Sequence, residues 1–116
     1  MEERVQRLLS NAADVRIIAE IDAVIVGYGE LVTNENLLGA CYVASTAGGK
    51  GVGKAIVAEL ERIAREKGLR HLQMESSANA ELFYIGCGYR VVDRGKHPMR
   101  SGAVMDCILM RKELQE

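Results

Sequence analysis

The chain has 116 residues, of which 48% are hydrophobic and 27% are charged. This length and composition are typical of one soluble globular domain, and we expect residues 1–116 to form a single domain. The net charge is −1, and the only aromatic residues are four Tyr and one Phe. Both features argue against nucleic-acid binding, which uses basic surfaces and exposed aromatic rings.

Membrane, secretory and metal-binding classes are also disfavoured. No apolar run reaches the roughly 18 residues of a membrane span, and the first ten residues do not resemble a signal peptide. Cys41, Cys87 and Cys107 are widely spaced and odd in number. This favours a reducing, cytoplasmic setting in which the thiols are buried as small hydrophobic groups, Cys87 and Cys107 facing the core. No cluster has metal-ligand spacing, so we predict no metal.

The first part of the chain predicts a short helix and then an antiparallel meander. Residues 2–10 form an amphipathic helical stretch with an apolar stripe of Val5, Leu8 and Leu9. Three runs rich in β-branched and apolar residues follow, and turn residues separate them. We predict strands over residues 15–20, 23–32 and 37–44.

The second part predicts a strand–helix–strand crossover. Apolar residues recur at i, i+3 and i+4 over residues 52–67, and Gly68 suits the end of this helix. A strand over 69–75, a helix over 78–86 and strands over 89–93 and 103–110 follow, with residues 94–102 as an exposed loop. The fold class is therefore α/β (α+β): a mixed sheet in which a meander leads into a parallel β-α-β crossover, a helix and a closing hairpin.

A glycine-rich turn, residues 48–53, precedes the long predicted helix. Such a turn exposes backbone N–H groups to an anion at a helix N-terminus, which indicates a phosphate-bearing ligand. A Walker A loop is disfavoured because Ala55 replaces the required hydroxyl. The G-x-G-x-x-G dinucleotide fingerprint fails at Ile56. The pattern [RQ]-x-x-G-x-[GA] matches Gly51 and Gly53, with Gly48 in place of Arg or Gln.

Two motifs together carry a family resemblance. The run YVASTAGGKGVGKAIVA, residues 42–58, is similar to the acyl-CoA-binding motif of the GNAT superfamily of N-acetyltransferases. The segment NAELFYIGCGY, residues 79–89, resembles a second segment of that family, N-A-x-x-F-Y-x-x-x-G-[FY]. The resemblance covers roughly residues 15–113 by element order. Family members begin with a further strand and a longer helical region, so the N-terminal strand is expected to be missing here.

The resemblance implies an acetyl-CoA site. Val43 lies where family members hold the pantetheine arm through strand backbone groups, and Asn79 matches an asparagine that hydrogen-bonds the cofactor. Asn79 also fits a helix N-cap, and both roles can hold at once. Lys50 and Lys54 could compensate for the missing Arg or Gln. The backbone groups expected to face the pyrophosphate are those of Gly49, Gly51, Val52, Gly53 and Lys54.

The resemblance also places Tyr84 as the general acid that protonates the departing thiolate. Glu75 is the first candidate for the general base and Glu30 the second. His71 and His97 are more typical of surface or capping histidines.

The function predicted is transfer of an acetyl group from acetyl-CoA directly to a primary amine of a small molecule or peptide. The alternative is a non-catalytic acyl-CoA-binding or regulatory module on the same fold. The sequence does not identify the amine. Because the N-terminal strand is expected to be missing, an uncovered sheet edge predicts a homodimer.

Overall fold

A computed structural model describes residues 3–7, 14–49 and 51–114 of the chain. These residues form a mixed sheet of seven strands in the order β1-β2-β3-β4-β5-β7-β6. The strands are β1 Glu3–Arg7, β2 Asp14–Ile21, β3 Val24–Val32, β4 Leu37–Val43, β5 His71–Ser76, β6 Arg90–Pro98 and β7 Val104–Glu113. Two helices, α1 Val52–Glu66 and α2 Glu81–Gly86, complete the fold. The predicted meander, crossover, second helix and closing hairpin are confirmed in this order.

The N-terminal prediction was wrong in two respects. Residues 3–7 form a strand and not part of a helix, and this strand pairs antiparallel with β2, Val5 opposite Ala19. Pairing with β2 outweighs the weak helical spacing of a short segment, because main-chain hydrogen bonds to an existing strand stabilise it. A strand therefore precedes the meander, and the edge of β2 is covered. Residue 2 and residues 8–10 of the predicted helix lie outside the described part of the chain.

Helix α1 packs on the meander because β3 offers it a surface without side chains. A Cβ atom at Gly27 would lie 2.7 Å from Cδ1 of Ile56, and one at Gly29 would lie 2.5 Å from Cγ2 of the same residue. Ile56 is fully buried. These close approaches fix the height of α1 above the sheet, and so also the position of its N-terminus.

The crossover joins β4 and β5 as parallel strands, as predicted, but the two strands diverge. Among the described residues, Leu37 and Gln73 form the single residue pair of this ladder. On its other side β4 keeps its pairing with β3 as far as Val43, and β5 keeps its pairing with β7 as far as Ser76. The sheet is thus open between the carboxyl-terminal ends of β4 and β5.

The closing hairpin is longer than predicted. The predicted exposed loop over residues 94–102 is mostly strand, since β6 continues to Pro98 and pairs with β7 from Arg90 to its end. β7 pairs with β5 only from Ile108 onward. The tip of the hairpin therefore extends beyond the end of β5 as a two-stranded ribbon.

Candidate functional site

A large cavity that the described residues form lies between the glycine-rich turn, β4 and α2. Its volume is about 570 Å³. It is lined by Cys41, Val43, Ala47, Gly48, Gly49, Gly51, Val52, Gly53, Lys54, Ala80, Phe83 and Tyr84. The structure thus brings together all the sequence-predicted cofactor residues except Asn79, and one predicted catalytic residue. Lys50 lies outside the described residues.

The backbone of the turn directs the start of α1 toward this cavity. A short 3-10 turn, Ser45–Ala47, leads to Gly49 at φ +77° and Gly51 at φ +76°, and Gly51 caps the helix. Positive φ values are strained for residues with a Cβ atom, which accounts for glycine at both positions. The first amide groups of a helix have no carbonyl partner within it and carry its positive dipole end. The turn therefore offers N–H groups and free space to an anionic group, so its residues fit a pyrophosphate.

Phe83 forms the opposite wall of the cavity, and Gly53 permits its approach. A Cβ atom at Gly53 would lie 2.9 Å from Cζ of Phe83. The glycine is thus required by contact between the first turn of α1 and the ring on α2. In the sequence Phe83 is recognisable only as part of the motif over residues 79–89. Its contact with Gly53 could not be predicted, because it depends on how α1 and α2 pack.

A second cavity, of about 230 Å³, lies in the opening between β4 and β5. Residues of both strands line it, including Gly39, Met74, Glu75 and Ser76. Cys41, Ala80 and Tyr84 line both cavities. A ligand on the glycine-rich turn could therefore extend past Tyr84 into the opening of the sheet.

Tyr84 stands where the two cavities meet. Its side chain is 6% exposed, and its ring makes an edge contact with that of Tyr89 at 6.1 Å between centroids. The Tyr84 hydroxyl lies beside the sulfur of Cys41, and the Cys41 thiol contacts the Gly53 carbonyl oxygen at 4.0 Å. Burial raises the pKa of Tyr84, and the neighbouring Cys41 raises it further by a smaller amount. The Tyr84 hydroxyl therefore stays protonated at neutral pH. Burial also raises the pKa of the Cys41 thiol to about 11.

A buried polar network lies behind Tyr84. The Tyr89 hydroxyl donates to Oε2 of Glu61 at 3.0 Å, and Nζ of Lys112 donates to Oε1 at 2.9 Å. Lys112 also donates to the Cys87 carbonyl oxygen at 2.8 Å. The spacing of Glu61 and Arg65, four residues apart in the sequence, predicts an ion pair on the solvent side of the helix, but this is wrong for Glu61, which is only 5% exposed. The network ties α1 to β7 and to the turn that follows α2.

The two candidate bases differ in position. Glu75 is exposed and lines the second cavity, and it lies near the Cys107 thiol. Glu30 accepts hydrogen bonds from Nε of Arg16 at 3.2 Å and from the Tyr28 hydroxyl at 3.4 Å. Glu30 is thus engaged on the neighbouring strands, whereas Glu75 borders the opening of the sheet.

Asn79 lies in a 3-10 turn, Ala78–Ala80, and its side chain is exposed. It is not the N-cap of α2, since that position is Ala80, so this alternative from the sequence was wrong. All three cysteines are free and half-buried. Cys87 packs against the core as predicted. Cys107 does not face the core, because its neighbours Ile108 and Met110 alternate with it along β7 and occupy that side.

The described residues were also compared with the requirements of a membrane span and of a metal site. None of their helices is long and apolar enough to cross a membrane. No three His, Cys, Asp or Glu side chains among them are grouped so that they could hold a metal ion. The His71 side chain is half-buried on β5, while that of His97 lies outside the described part.

Comparison with known proteins identifies the family. Residues 1–114 match the family model described as an acetyltransferase (GNAT) domain, so the chain belongs to the GNAT acetyltransferase family. No curated protein sequence matches the chain significantly.

Solved structures agree with this assignment. A GCN5-related N-acetyltransferase from Rhodopseudomonas palustris is similar at 27% identity and a TM-score of 0.80, over 87% of this chain and 62% of that one. The chain thus spans less than two thirds of that protein. A ribosomal-protein-alanine N-acetyltransferase from Brucella melitensis is 25% identical with a TM-score of 0.77, over 87% and 69% of the two chains. An aminoglycoside 6'-N-acetyltransferase complexed with coenzyme A shares the fold at 17% identity and a TM-score of 0.75, over 91% and 76%.

Proposed function

We propose that the protein is an N-acetyltransferase that moves an acetyl group from acetyl-CoA directly to a primary amine. One observation carries the proposal: the cavity on the glycine-rich turn and the cavity in the open sheet meet at Tyr84. Acetyl-CoA needs an anion site for its pyrophosphate and a narrow cavity for its pantetheine arm. The amine needs a separate opening through which it can reach the thioester carbonyl. The cavity on the glycine-rich turn offers the first two features, and the cavity in the open sheet offers the third.

Binding of the cosubstrate relies on main-chain groups. The amides of Gly49, Gly51, Val52, Gly53 and Lys54 hold the pyrophosphate, where the dipole of α1 favours negative charge. The Lys54 side chain is exposed beside the cavity and adds a positive charge. Val43, half-buried on β4, holds the pantetheine arm through its backbone, and Asn79 adds a hydrogen bond from the turn before α2.

The diverging strands orient and polarise the reacting carbonyl. Beyond Gly39, the edge of β4 that faces β5 makes no pairing with β5 among the described residues. The alternate N–H groups of β4 that face this edge can donate to a carbonyl oxygen in the opening. Acetyl-CoA supplies the activated acyl group, and the cavities hold it beside the amine, which accounts for much of the acceleration.

Two side chains move protons in this proposal. Tyr84 is protonated at neutral pH, as a tyrosine with a pKa of about 10 or above must be, and it gives that proton to the departing sulfur from its place where the two cavities meet. Glu75 takes the proton of the incoming amine, directly or through a water molecule. We prefer Glu75 to Glu30 because Glu75 lines the opening, whereas Glu30 is bound by Arg16 and Tyr28.

Tyr84→Phe tests this assignment. The change removes one hydroxyl group, so turnover should fall by about 10²- to 10⁴-fold while coenzyme A affinity stays nearly constant. Tyr42→Phe is the matched control, since Tyr42 lies on β4 next to Cys41 but is 66% exposed and lines neither cavity. Full activity of the Tyr84 variant would mean that the sulfur takes its proton from water.

The expected cytoplasmic homodimer is a separate proposal. The sequence predicts the dimer from an uncovered edge at the first strand of the meander, but β1 pairs with that edge of β2, so this argument does not apply. The exposed apolar side chains of Met99, Val104 and Met105 near the hairpin tip now support it.

A further inference from the structure

A third cavity lies at the far end of α1, away from the glycine-rich turn. It has a volume of about 410 Å³ and is lined by Arg65, Gly88, Arg90, Arg111, Lys112 and Glu113. Arg65 is in the last turn of the helix whose first turn forms the proposed pyrophosphate site. At 1.5 Å per residue, the two ends of α1 are about 20 Å apart. The cavity is therefore separate from the site described above.

The charges around this cavity do not balance. Of the four cationic side chains that line it, Arg65 and Lys112 lie 3.8 Å and 2.9 Å from the buried Glu61, whereas Arg90 and Arg111 both lie near Glu113. Glu61 already accepts hydrogen bonds from Lys112 and Tyr89 inside the protein. Arg90 and Arg111 thus share one described carboxylate between them, which leaves an excess of positive charge at this pair.

The excess is concentrated in two arginines that lie directly opposite each other. Arg90 of β6 and Arg111 of β7 are register partners in the antiparallel ladder. Like charges at directly opposed positions destabilise a sheet. Glu113 relieves this only in part: Arg111 Nε donates to it at 2.7 Å, whereas Arg90 Nη2 is 3.7 Å away, beyond hydrogen-bond distance. A guanidinium group has five N–H donors, so both arginines can donate further bonds.

We propose that this cavity binds the phosphate group of a small molecule between Arg90 and Arg111. A tetrahedral oxyanion accepts several hydrogen bonds at once and neutralises both guanidinium groups, which suits the planar donor fork of arginine. Gly88 lines the other side of the cavity, and its φ of +99° together with the 3.1 Å from a Cβ atom there to Cε of Lys112 favours glycine at this position. Lys112 in turn remains folded onto Cys87 and Glu61.

Titration with inorganic phosphate, followed by NMR of the backbone amides, tests this proposal. Saturating coenzyme A is present so that the glycine-rich turn is not the binding site measured, and Gly49 and Gly51 report on that turn separately. Sodium chloride keeps the ionic strength constant. We expect a saturable shift at Gly88, which sulfate reproduces and acetate does not.

Variants assign the shift to the two arginines. Arg90→Gln and Arg111→Gln should each weaken phosphate binding about tenfold or more, as loss of a charge-assisted hydrogen bond does. Arg94→Gln is the matched control, because Arg94 is on the same strand as Arg90 but pairs with Glu81 outside this cavity. A linear, non-saturating shift, equal responses to phosphate and acetate, or unchanged binding in both glutamine variants would overturn the proposal. None of these outcomes depends on acetyl transfer.

Discussion

Removal of the Tyr89 hydroxyl measures how much the buried network behind the site contributes to stability. Tyr89→Phe deletes the 3.0 Å hydrogen bond to Glu61 and leaves the packing of the ring unchanged. Hydrogen bonds to charged groups contribute about 1.5 to 3 kcal/mol. Glu61 keeps Lys112 as a partner, so we expect the lower part of this range, about 1.5 to 2 kcal/mol.

Thermal unfolding followed by circular dichroism measures this loss. For a domain of this size about 1 kcal/mol corresponds to about 4 °C, so the melting temperature should fall by about 6 to 8 °C. Tyr28→Phe is the matched control: its hydroxyl also donates to a glutamate, but at 3.4 Å and only partly buried. We expect that variant to lose about 2 °C or less. Equal losses in the two variants would refute the reasoning that burial of Glu61 makes its hydrogen bond strong.

Three further predictions concern the cavity and the assembly. Gly53→Ala should weaken coenzyme A binding, measured by calorimetry, because the new Cβ displaces Phe83, whereas Ala55→Ser should confer no ATP binding. The rate of alkylation of Cys41 by a neutral reagent, measured by peptide mass spectrometry, should rise up to about pH 11, because burial raises the pKa of this thiol to about 11. Coenzyme A should slow the reaction because Cys41 lines the cavity. A rate that is constant above about pH 9 would contradict the burial of this thiol. Sedimentation at micromolar concentration should show a dimer, and a monomer without concentration dependence would exclude it.

The sequence predicts the elements that have their own local pattern. The apolar stripe of α1 and the glycine-rich turn before it are both where the residue pattern places them. On β5, Leu72 and Met74 are buried and Glu75 is exposed, as strand alternation requires. The cavity residues on the turn could be named in advance because the shape of that turn depends on nearby residues.

Features that depend on distant partners could not be predicted in the same way. Glu61 and Arg65 are spaced like a solvent-side ion pair, but Glu61 is buried because Lys112, 51 residues further on, reaches it. Residues 3–7 are too short to show strand alternation, and β6 continues through a polar segment with Gly95 and Pro98 because β7 pairs with it. In each case the local sequence does not show which distant residue or strand will be the partner: Lys112 for Glu61, β2 for residues 3–7 and β7 for β6.

Titration of the protein with acetyl-CoA, measured by calorimetry, tests the central claim most directly. The account predicts saturable binding at one site, competition by coenzyme A, no competition by ATP, and release of free thiol when a suitable primary amine is added. Binding should be lost in Gly51→Val, since the positive φ at Gly51 excludes a β-branched residue while no neighbouring atom would be displaced. Absence of binding by the folded wild-type protein, or undiminished binding by the folded Gly51 variant, would contradict it.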